Sequence, residues 1–360
     1  MSDTAPVEEA RAPRRGEELD PAAVGAFLEK TLPGVAGPVE IGQFPGGASN
    51  LTYLVRAAGR EWVLRRPPFG TKARSAHDMG REYRILSRIH EAFPYAPRPV
   101  LFCADQDVLG GDFYLMERLR GVILRRDLPA GLDISPVEAE ALCRNLVDVH
   151  AELHAIEPAA AGLEELGRPE GYIARQVSGW SGRYRAARTD DVPDNEALMA
   201  WLEENRPAEA ARSAIIHNDY KFDNVVLERR DGELRISGVL DWEMATLGDP
   251  LMDLGASLAY WVEAGDPAPL QQIRMLPTHL PGMMTRRALV DYYCARSGLA
   301  PERFDFYYVY GLFRLAVIVQ QIYYRFVLGQ TQNPAFAPFG RFCTVLSRTA
   351  ESVAGGRHQP

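Results

Sequence analysis

The sequence predicts an α+β protein of two lobes, a small lobe of five antiparallel strands with one helix followed by a larger, mainly helical lobe. Three observations carry this expectation. At 360 residues the chain exceeds one modest core, so two lobes with their own buried surface are expected. Five β-rich runs bounded by turn residues precede residue 120. Beyond it, apolar residues recur at helical spacing.

The elements follow in order. "MSDTAPVEEARAPRRGEELD" mixes Pro, Ala and both charge signs, so residues 1–19 read as a disordered tail without the apolar stretch of a signal peptide. Asp20-Pro21 opens a short helix, a cap followed by proline. "VEIGQFP", "LTYLVRA" and "EWVLRRP" form a three-strand meander, joined first by "GGASN" and then by the turn at Ala58-Gly59. Residues 76–92 read as a helix whose partly apolar face is Tyr83, Ile85, Leu86 and Ile89. "PRPVLFCAD" and "FYLMERLRG" complete the five strands. The lobe boundary falls near Met116 to Gly121, giving a first lobe over 20–118, a second over 119–350 and a closing tail over 351–360.

In the second lobe, Ser135, Pro136 and Glu138 form a capping box, followed by the helical stripe Leu142, Leu146, Val149, Leu153 and Ile156. A second β element interrupts the helices. "NVVLE", the turn "RRDGE" and "LRISGVLDWE" read as a hairpin. Asp219 and Asn224 flank the entry to its first strand and Asp241 sits at the exit of its second, so the three can converge at one end of a small sheet.

Composition limits the partners. A hydrophobic content of 46% and a charged content of 24% place the chain among ordinary globular proteins. A net charge of −8 supplies no global attraction for nucleic acid or an anionic membrane. Arg314, Gln320, Gln321 and Arg325 interrupt the greasiest stretch, "GLFRLAVIVQQIYYRFVL", against a membrane span. Cys103, Cys143, Cys294 and Cys343 lie far apart with no CxxC pair, so neither a zinc site nor a disulfide framework is indicated, and a reducing cytoplasm is expected.

The chemistry is concentrated in "HNDYKFDN". Phosphoryl transfer needs a carboxylate to orient or deprotonate the attacking hydroxyl, and hard oxygen ligands to hold magnesium on the nucleotide phosphates. Asp219 suits the first role, Asn224 and Asp241 the second. Their order, an Asp, an Asn five positions on, then an Asp after a hairpin, is that of the protein-kinase pattern.

"HNDYKFDN" followed by "VLDWEMATLGDPLMDLG" resembles the aminoglycoside phosphotransferase and choline kinase-like superfamily. "GRPEGYIARQVSGW" and "VLRRPP" further resemble its subgroup of kinase-like domains linked to acyl-CoA dehydrogenases, and the likeness runs from about residue 38 to 345. The resemblance implies a bilobal, protein-kinase-like fold that binds ATP and magnesium between its lobes. By it, Asp219 is the catalytic base, Asn224 and Asp241 bind the metal, and His217 is a structural residue behind the loop. Asp253 braces the loop by accepting backbone N–H bonds. Glu82 pairs with the strand residue that binds phosphate, and Met116, Glu117 and Leu119 form the hinge against the adenine. Arg65 stands where the superfamily often has lysine; it can bind phosphate in bidentate fashion, with Lys72 in reserve. The phosphate loop "FPGGASN" is no GxGxxG, yet Gly46 and Gly47 allow close backbone approach and Ser49 and Asn50 can donate to phosphate.

The expected activity is transfer of the γ-phosphate of ATP to a hydroxyl of a small molecule, with GTP left open as donor. Arg175 to Arg188 holds four arginines and no acid, which points away from a polycationic aminoglycoside and towards an anionic or acyl acceptor, a hydroxyacyl-CoA by the subgroup resemblance. An aminoglycoside phosphotransferase and a nucleotide-binding regulator without transfer activity are the alternatives. A protein kinase is disfavoured because "DWE" replaces DFG with no room for a long activation loop. "HAELH" places Glu152 one position late for a zinc protease, so His150 reads as a core or hydrogen-bonded histidine. "GTKARS" is no P-loop, and no second histidine cluster completes a metallohydrolase site at His217.

Overall fold

The computed structural model describes residues 8–45, 50–69, 78–208, 210 and 212–357. The chain divides into two compact units. The first takes the chain up to Ile123 together with Val226–Arg229 and Ile236–Met244; the second takes Leu124–Val225, Arg230–Arg235 and the chain from Ala245 onward.

In the first unit Asp20 caps α1 (Pro21–Thr31) by accepting from Ala22 N at 2.9 Å. Then come β1 (Val39–Gln43), β2 (Leu51–Ala57), β3 (Arg60–Arg66), α2 (Met79–Ile89), β4 (Pro99–Cys103), the single turn α3 (Gln106–Leu109) and β5 (Phe113–Glu117). The sheet order is β1-β2-β3-β5-β4 and every pairing is antiparallel. Side chains alternate between its faces. Tyr53, Val55, Trp62, Leu64, Phe113 and Leu115 join Val24 and Leu28 of α1 in one cluster. The opposite parity carries Arg65 and Tyr114, which are register partners, to the face where α2 contacts β4 and β5.

The tail expected over 1–19 is corrected for its described part. Arg11 bridges Gln43 on the edge strand β1, with Arg11 N donating to Gln43 O at 2.9 Å and Gln43 N to Arg11 O at 2.7 Å. Tyr53 Oη donates to Glu17 O at 2.6 Å, and Leu19 is buried in the α1 cluster. An edge strand presents unpaired backbone groups, and this segment covers them. A disorder-like composition cannot reveal such a partner. A Cβ on Gly42 would lie 2.8 Å from Ala10 Cβ, so the missing side chain admits the segment.

The second unit is built from α4 (Pro136–Ala155), α5 (Tyr172–Ala187), α6 (Glu196–Asn205), β6 (Ala214–Ile216), β9 (Thr246–Gly248) after the hairpin β7 (Val225–Arg230) and β8 (Glu233–Val239), then α7 (Pro250–Leu258), α8 (Ala268–Ile273), α9 (Arg286–Ser297), α10 (Asp305–Val327) and α11 (Phe339–Ala354). Both halves of the capping box at Ser135 and Glu138 are present, and Leu142, Leu146, Val149 and Leu153 are buried. At the hairpin turn, Asp231 and Gly232 both have positive φ (52° and 83°), as a tight two-residue hairpin loop demands. Most of this hairpin belongs with the first unit, where Val122 and Leu227 exchange backbone hydrogen bonds of 2.8 Å. That pairing moves the unit boundary beyond residue 118 to Ile123. The closing tail is also corrected, since α11 continues to Ala354 with Val353 buried.

α10 crosses α7 at two glycines. A Cβ on Gly311 would meet Gly255 O at 2.1 Å, and one on Gly255 would meet Tyr307 O at 2.2 Å. The contact is backbone against backbone and holds α10 close to the helix that carries Asp253. Among the described residues, no helix is long and apolar enough to cross a membrane.

The glycine crossing predicts that Gly311→Val forces α10 off α7 and destabilises the protein by about 1–3 kcal/mol. Urea unfolding checks this, and an unchanged midpoint would show that the crossing yields freely. Separately, Gly42→Val should make the 8–19 segment protease-sensitive with little change in global stability.

Candidate active site

In the second unit, β6 leads into His217, Asn218 and Asp219. β6 is wholly buried and pairs antiparallel with β9. Asn218 then adopts left-handed backbone, φ 64°, which non-glycine residues rarely do. The turn is held by Asp253 of α7. Its Oδ2 accepts from His217 N at 2.8 Å and its Oδ1 from Asn218 N at 2.7 Å. Oδ2 also accepts from His150 Nε2 at 3.0 Å and His154 Nε2 at 3.1 Å. Burial works against the charged carboxylate, but the two imidazoles outweigh it and hold Asp253 well below the usual carboxylate range. His154 is pushed down to about 4, chiefly by burial, so it is neutral at pH 7. Its Nδ1 accepts from Tyr293 Oη at 2.7 Å, which assigns the remaining ring hydrogen to Nε2 and Asp253. His150, His154 and Asp253 are a metal-ligating combination by type, and in this structure both imidazoles lie within hydrogen-bond distance of Asp253 Oδ2. His217 is fully buried behind the loop, and its Nδ1 accepts from Asp219 N at 3.2 Å.

Asp219 has two oxygens in different circumstances. Oδ2 accepts from Lys221 Nζ at 2.5 Å and from Asn224 Nδ2 at 2.8 Å. Oδ1 has no hydrogen-bond partner among the described residues. A short 3₁₀ turn, Phe222–Asn224, folds Asn224 back so that Nδ2 also donates to Asp219 O at 2.8 Å. Both neighbours are pure acceptors, so the amide nitrogen must face them and Asn224 Oδ1 is left to ligate a cation.

Lys221 was not among the residues singled out from the sequence. It is only 8% exposed, lies 3.3 Å from Asp223 Oδ1 and sits over the Tyr260 ring at 5.1 Å. Burial opposes its charge, but Asp219, Tyr260 and Asp223 outweigh it and push its pKa up. Burial in turn pushes Asp223 up against the pull of Lys221. The available signal was a lysine two positions after Asp219, in a run otherwise read for turn formers.

The first unit carries a second cluster. Arg65 on β3 donates from Nη2 to Asp241 Oδ1 at 2.7 Å, and its Nε lies 3.4 Å from Glu82 Oε2 on α2. Burial disfavours the guanidinium charge, yet Glu82 and Asp241 raise its pKa well above the ordinary value. Burial pushes Glu82 up, opposed by Arg65. Asp241 stands in left-handed backbone, φ 69°, just after β8. Asn50 is buried and donates to Glu243 Oε2 at 2.6 Å, while Arg81 Nη1 donates to Glu243 O at 2.6 Å. Glu243, the acid of "DWE", was thus missed as a partner of the glycine loop's end. Met116 is buried, Glu117 accepts from Arg98 N at 2.7 Å, and Leu119 packs where a Cβ on Gly238 would stand. Gly46, Gly47, Ser49 and Lys72 lie outside the described residues.

The buried imidazole sets a pH dependence. The folded-state pKa of His154 lies below its ordinary 6.5, so between pH 6.5 and about 4 the unfolded chain holds a proton that the folded chain lacks. Stability therefore falls as pH drops through that window, by at most about 1.4 kcal/mol per pH unit for this one proton. The contribution of Asp253 is lost only at still lower pH, through its depressed folded-state pKa. Urea unfolding from pH 7 to 4.5 should show a shallower acid slope for His154→Gln than for the parent.

Comparison with known proteins places this geometry. Residues 40–289 match the model of the phosphotransferase enzyme family. Acyl-CoA dehydrogenase family member 10 of Mus musculus is 34% identical over 334 residues, which are 91% of this chain and 31% of the relative. Acyl-CoA dehydrogenase family member 11 of Homo sapiens is 32% identical over 340 residues, 92% of this chain and 43% of the relative. The chain thus spans less than half the length of these curated relatives. A Ralstonia eutropha protein assigned as an aminoglycoside phosphotransferase superposes with a TM-score of 0.78 at 28% identity, over 95% of this chain and 100% of that one. Choline kinase from Cryptosporidium parvum shares the fold, with a TM-score of 0.64 at 12% identity over 94% and 98% of the two chains. The α+β class expected from the sequence is that of these protein-kinase-like neighbours, and the chain belongs to the phosphotransferase enzyme family.

Proposed function

We propose that the chain transfers the γ-phosphoryl group of ATP to the hydroxyl of a small-molecule acceptor, with Asp219 as base. The observation that carries this reading is the asymmetry of the Asp219 carboxylate. Lys221 and Asn224 hold Oδ2, and Oδ1 is left to accept a proton. In the step proposed, the acceptor oxygen bonds to the γ-phosphorus, the bond to the β–γ bridging oxygen breaks, and the hydroxyl proton passes to Asp219 Oδ1. Lys221 holds Asp219 Oδ2 and supplies positive charge beside the reacting groups. Arg65, oriented by Glu82 and Asp241, is the first unit's phosphate-binding cation. Asp241 is that unit's candidate ligand for magnesium and Asn224 Oδ1 the second unit's, both hard oxygens of the kind the ion prefers. When bound, magnesium draws charge from the phosphate oxygens. GTP fits the same chemistry as donor.

For the acceptor, we propose a hydroxylated acyl compound, with hydroxyacyl-CoA esters the class to try first. Likeness to proteins named as acyl-CoA dehydrogenase family members supports it. The arginine-rich stretch contributes less than its composition implies. Arg175 bonds the carbonyls of Glu170 and Arg168, and Arg185 pairs with Glu196. The regulator reading rests on Arg65 alone.

Incubation with Mg·ATP and a pooled set of hydroxyacyl-CoAs, sugars, choline-like amines and aminoglycosides, read by mass spectrometry for an added phosphate, tests the proposal. A phosphorylated product is expected from the parent, and Asp219→Asn should lower its rate by about 10²–10⁴-fold. Equal turnover by that variant would remove Asp219 as base. Thermal stabilisation by Mg·ATP with no product from any acceptor would instead favour the regulator. Arg65→Met should raise the KM for ATP about tenfold or more, the loss of one charge-assisted contact. Arg65→Lys should fall between, because an ammonium cannot span Glu82 and Asp241 as the planar guanidinium does.

A further inference from the structure

Arg314 lies on α10, one turn beyond the Gly311 contact with α7, and is 2% exposed. Burying a guanidinium is costly, and an apolar side chain would fill a purely structural site at no such cost. Its Nη2 donates to Asn218 O at 2.7 Å. That carbonyl belongs to the peptide joining Asn218 to Asp219, whose N–H donates to His217 Nδ1 at 3.2 Å. The plane immediately before the base is therefore held at its oxygen by Arg314 and at its nitrogen by His217. On the other side of the Asn218 Cα, the N–H is held by Asp253, and Asn218 Oδ1 accepts from Tyr172 Oη at 3.3 Å. An anion on α7 and a cation on α10 thus grip opposite sides of one residue in left-handed backbone. Trp180 covers the cation, its ring centroid 5.2 Å from the Arg314 guanidinium carbon.

We propose that Arg314 is a positioning residue for phosphoryl transfer, fixing the Asn218–Asp219 peptide so that Asp219 Oδ1 keeps its aim; this rests on Asp219 being the base. Without the guanidinium, the carbonyl loses its donor and the strained Asn218 backbone can relax. A carboxylate displaced by even an ångström is enough to slow the reaction, so the loss appears in turnover and not in nucleotide binding.

The test compares the full chain with Arg314→Met, Arg314→Gln and Asp219→Asn. Two readouts are used: ADP formation from Mg·ATP with water as acceptor, and amide hydrogen exchange over residues 217–219. For Arg314→Met we expect faster exchange at those amides, and turnover about 10²-fold lower with the KM for ATP within about twofold. Arg314→Gln keeps a donor in the buried site and should recover part of both; it also serves as the test variant if Arg314→Met does not fold. Parent-like exchange and turnover in the folded variant, or a loss confined to KM, overturns the proposal. Parent-like turnover in Asp219→Asn would instead overturn the base assignment, and the exchange readout would still report whether Arg314 holds the peptide.

Discussion

The buried carboxylate of Asp253 is the interaction on which the second unit's loop geometry depends. A charge removed from water must be met by hydrogen bonds, and four converge on it, two from imidazoles of α4 and two from the backbone of the loop it holds. Helix α4, helix α7 and the loop after β6 are thereby tied through one side chain. The tie also explains two histidines in a core. Their ring hydrogens complete the solvation of an anion whose first task is to keep Asn218 in an unfavourable backbone conformation.

The first unit uses the same logic with the signs exchanged. Arg65 is a buried cation between two carboxylates, on a strand whose alternation aims it at α2. Its guanidinium is pre-oriented by Glu82 and Asp241, and a planar fork suits that position better than a single ammonium. Neither cluster is satisfied by apolar packing alone. Each holds a charged group in a fixed geometry with opposed charges.

The glycine contact between α7 and α10 links packing to that geometry. Gly255 and Gly311 allow two helix backbones to touch, and the next turn of α10 delivers Arg314 to the Asn218 carbonyl. A residue far from "HNDYKFDN" in sequence thus becomes part of its support.

Local rules made much of this legible in the sequence. β-rich runs bounded by turn residues marked the five strands, Asp20-Pro21 and the Ser135–Glu138 box marked two helix starts, and the order Asp219, Asn224, Asp241 pointed to the chemistry, because each depends on composition or spacing close along the chain. What the sequence could not show depends on partners distant along the chain. Residues 8–19 read as a tail because their composition is polar, yet they pair with the edge of β1. Lys221 drew no notice in the sequence, and burial against Tyr260 and two aspartates makes it a charged neighbour of Asp219. Two of the four arginines between 175 and 188 turned out to bind carbonyls or an acid. The sequence by itself determined the first lobe's five strands, two helix starts, the hairpin, the fold class and the order Asp219, Asn224, Asp241, since these follow from local patterns and motif spacing. Only the tertiary structure decided which charges are buried together, which oxygen of Asp219 has no hydrogen-bond partner among the described residues, and that Arg314 holds the loop, because burial and pairing between distant segments arise only once the chain has packed.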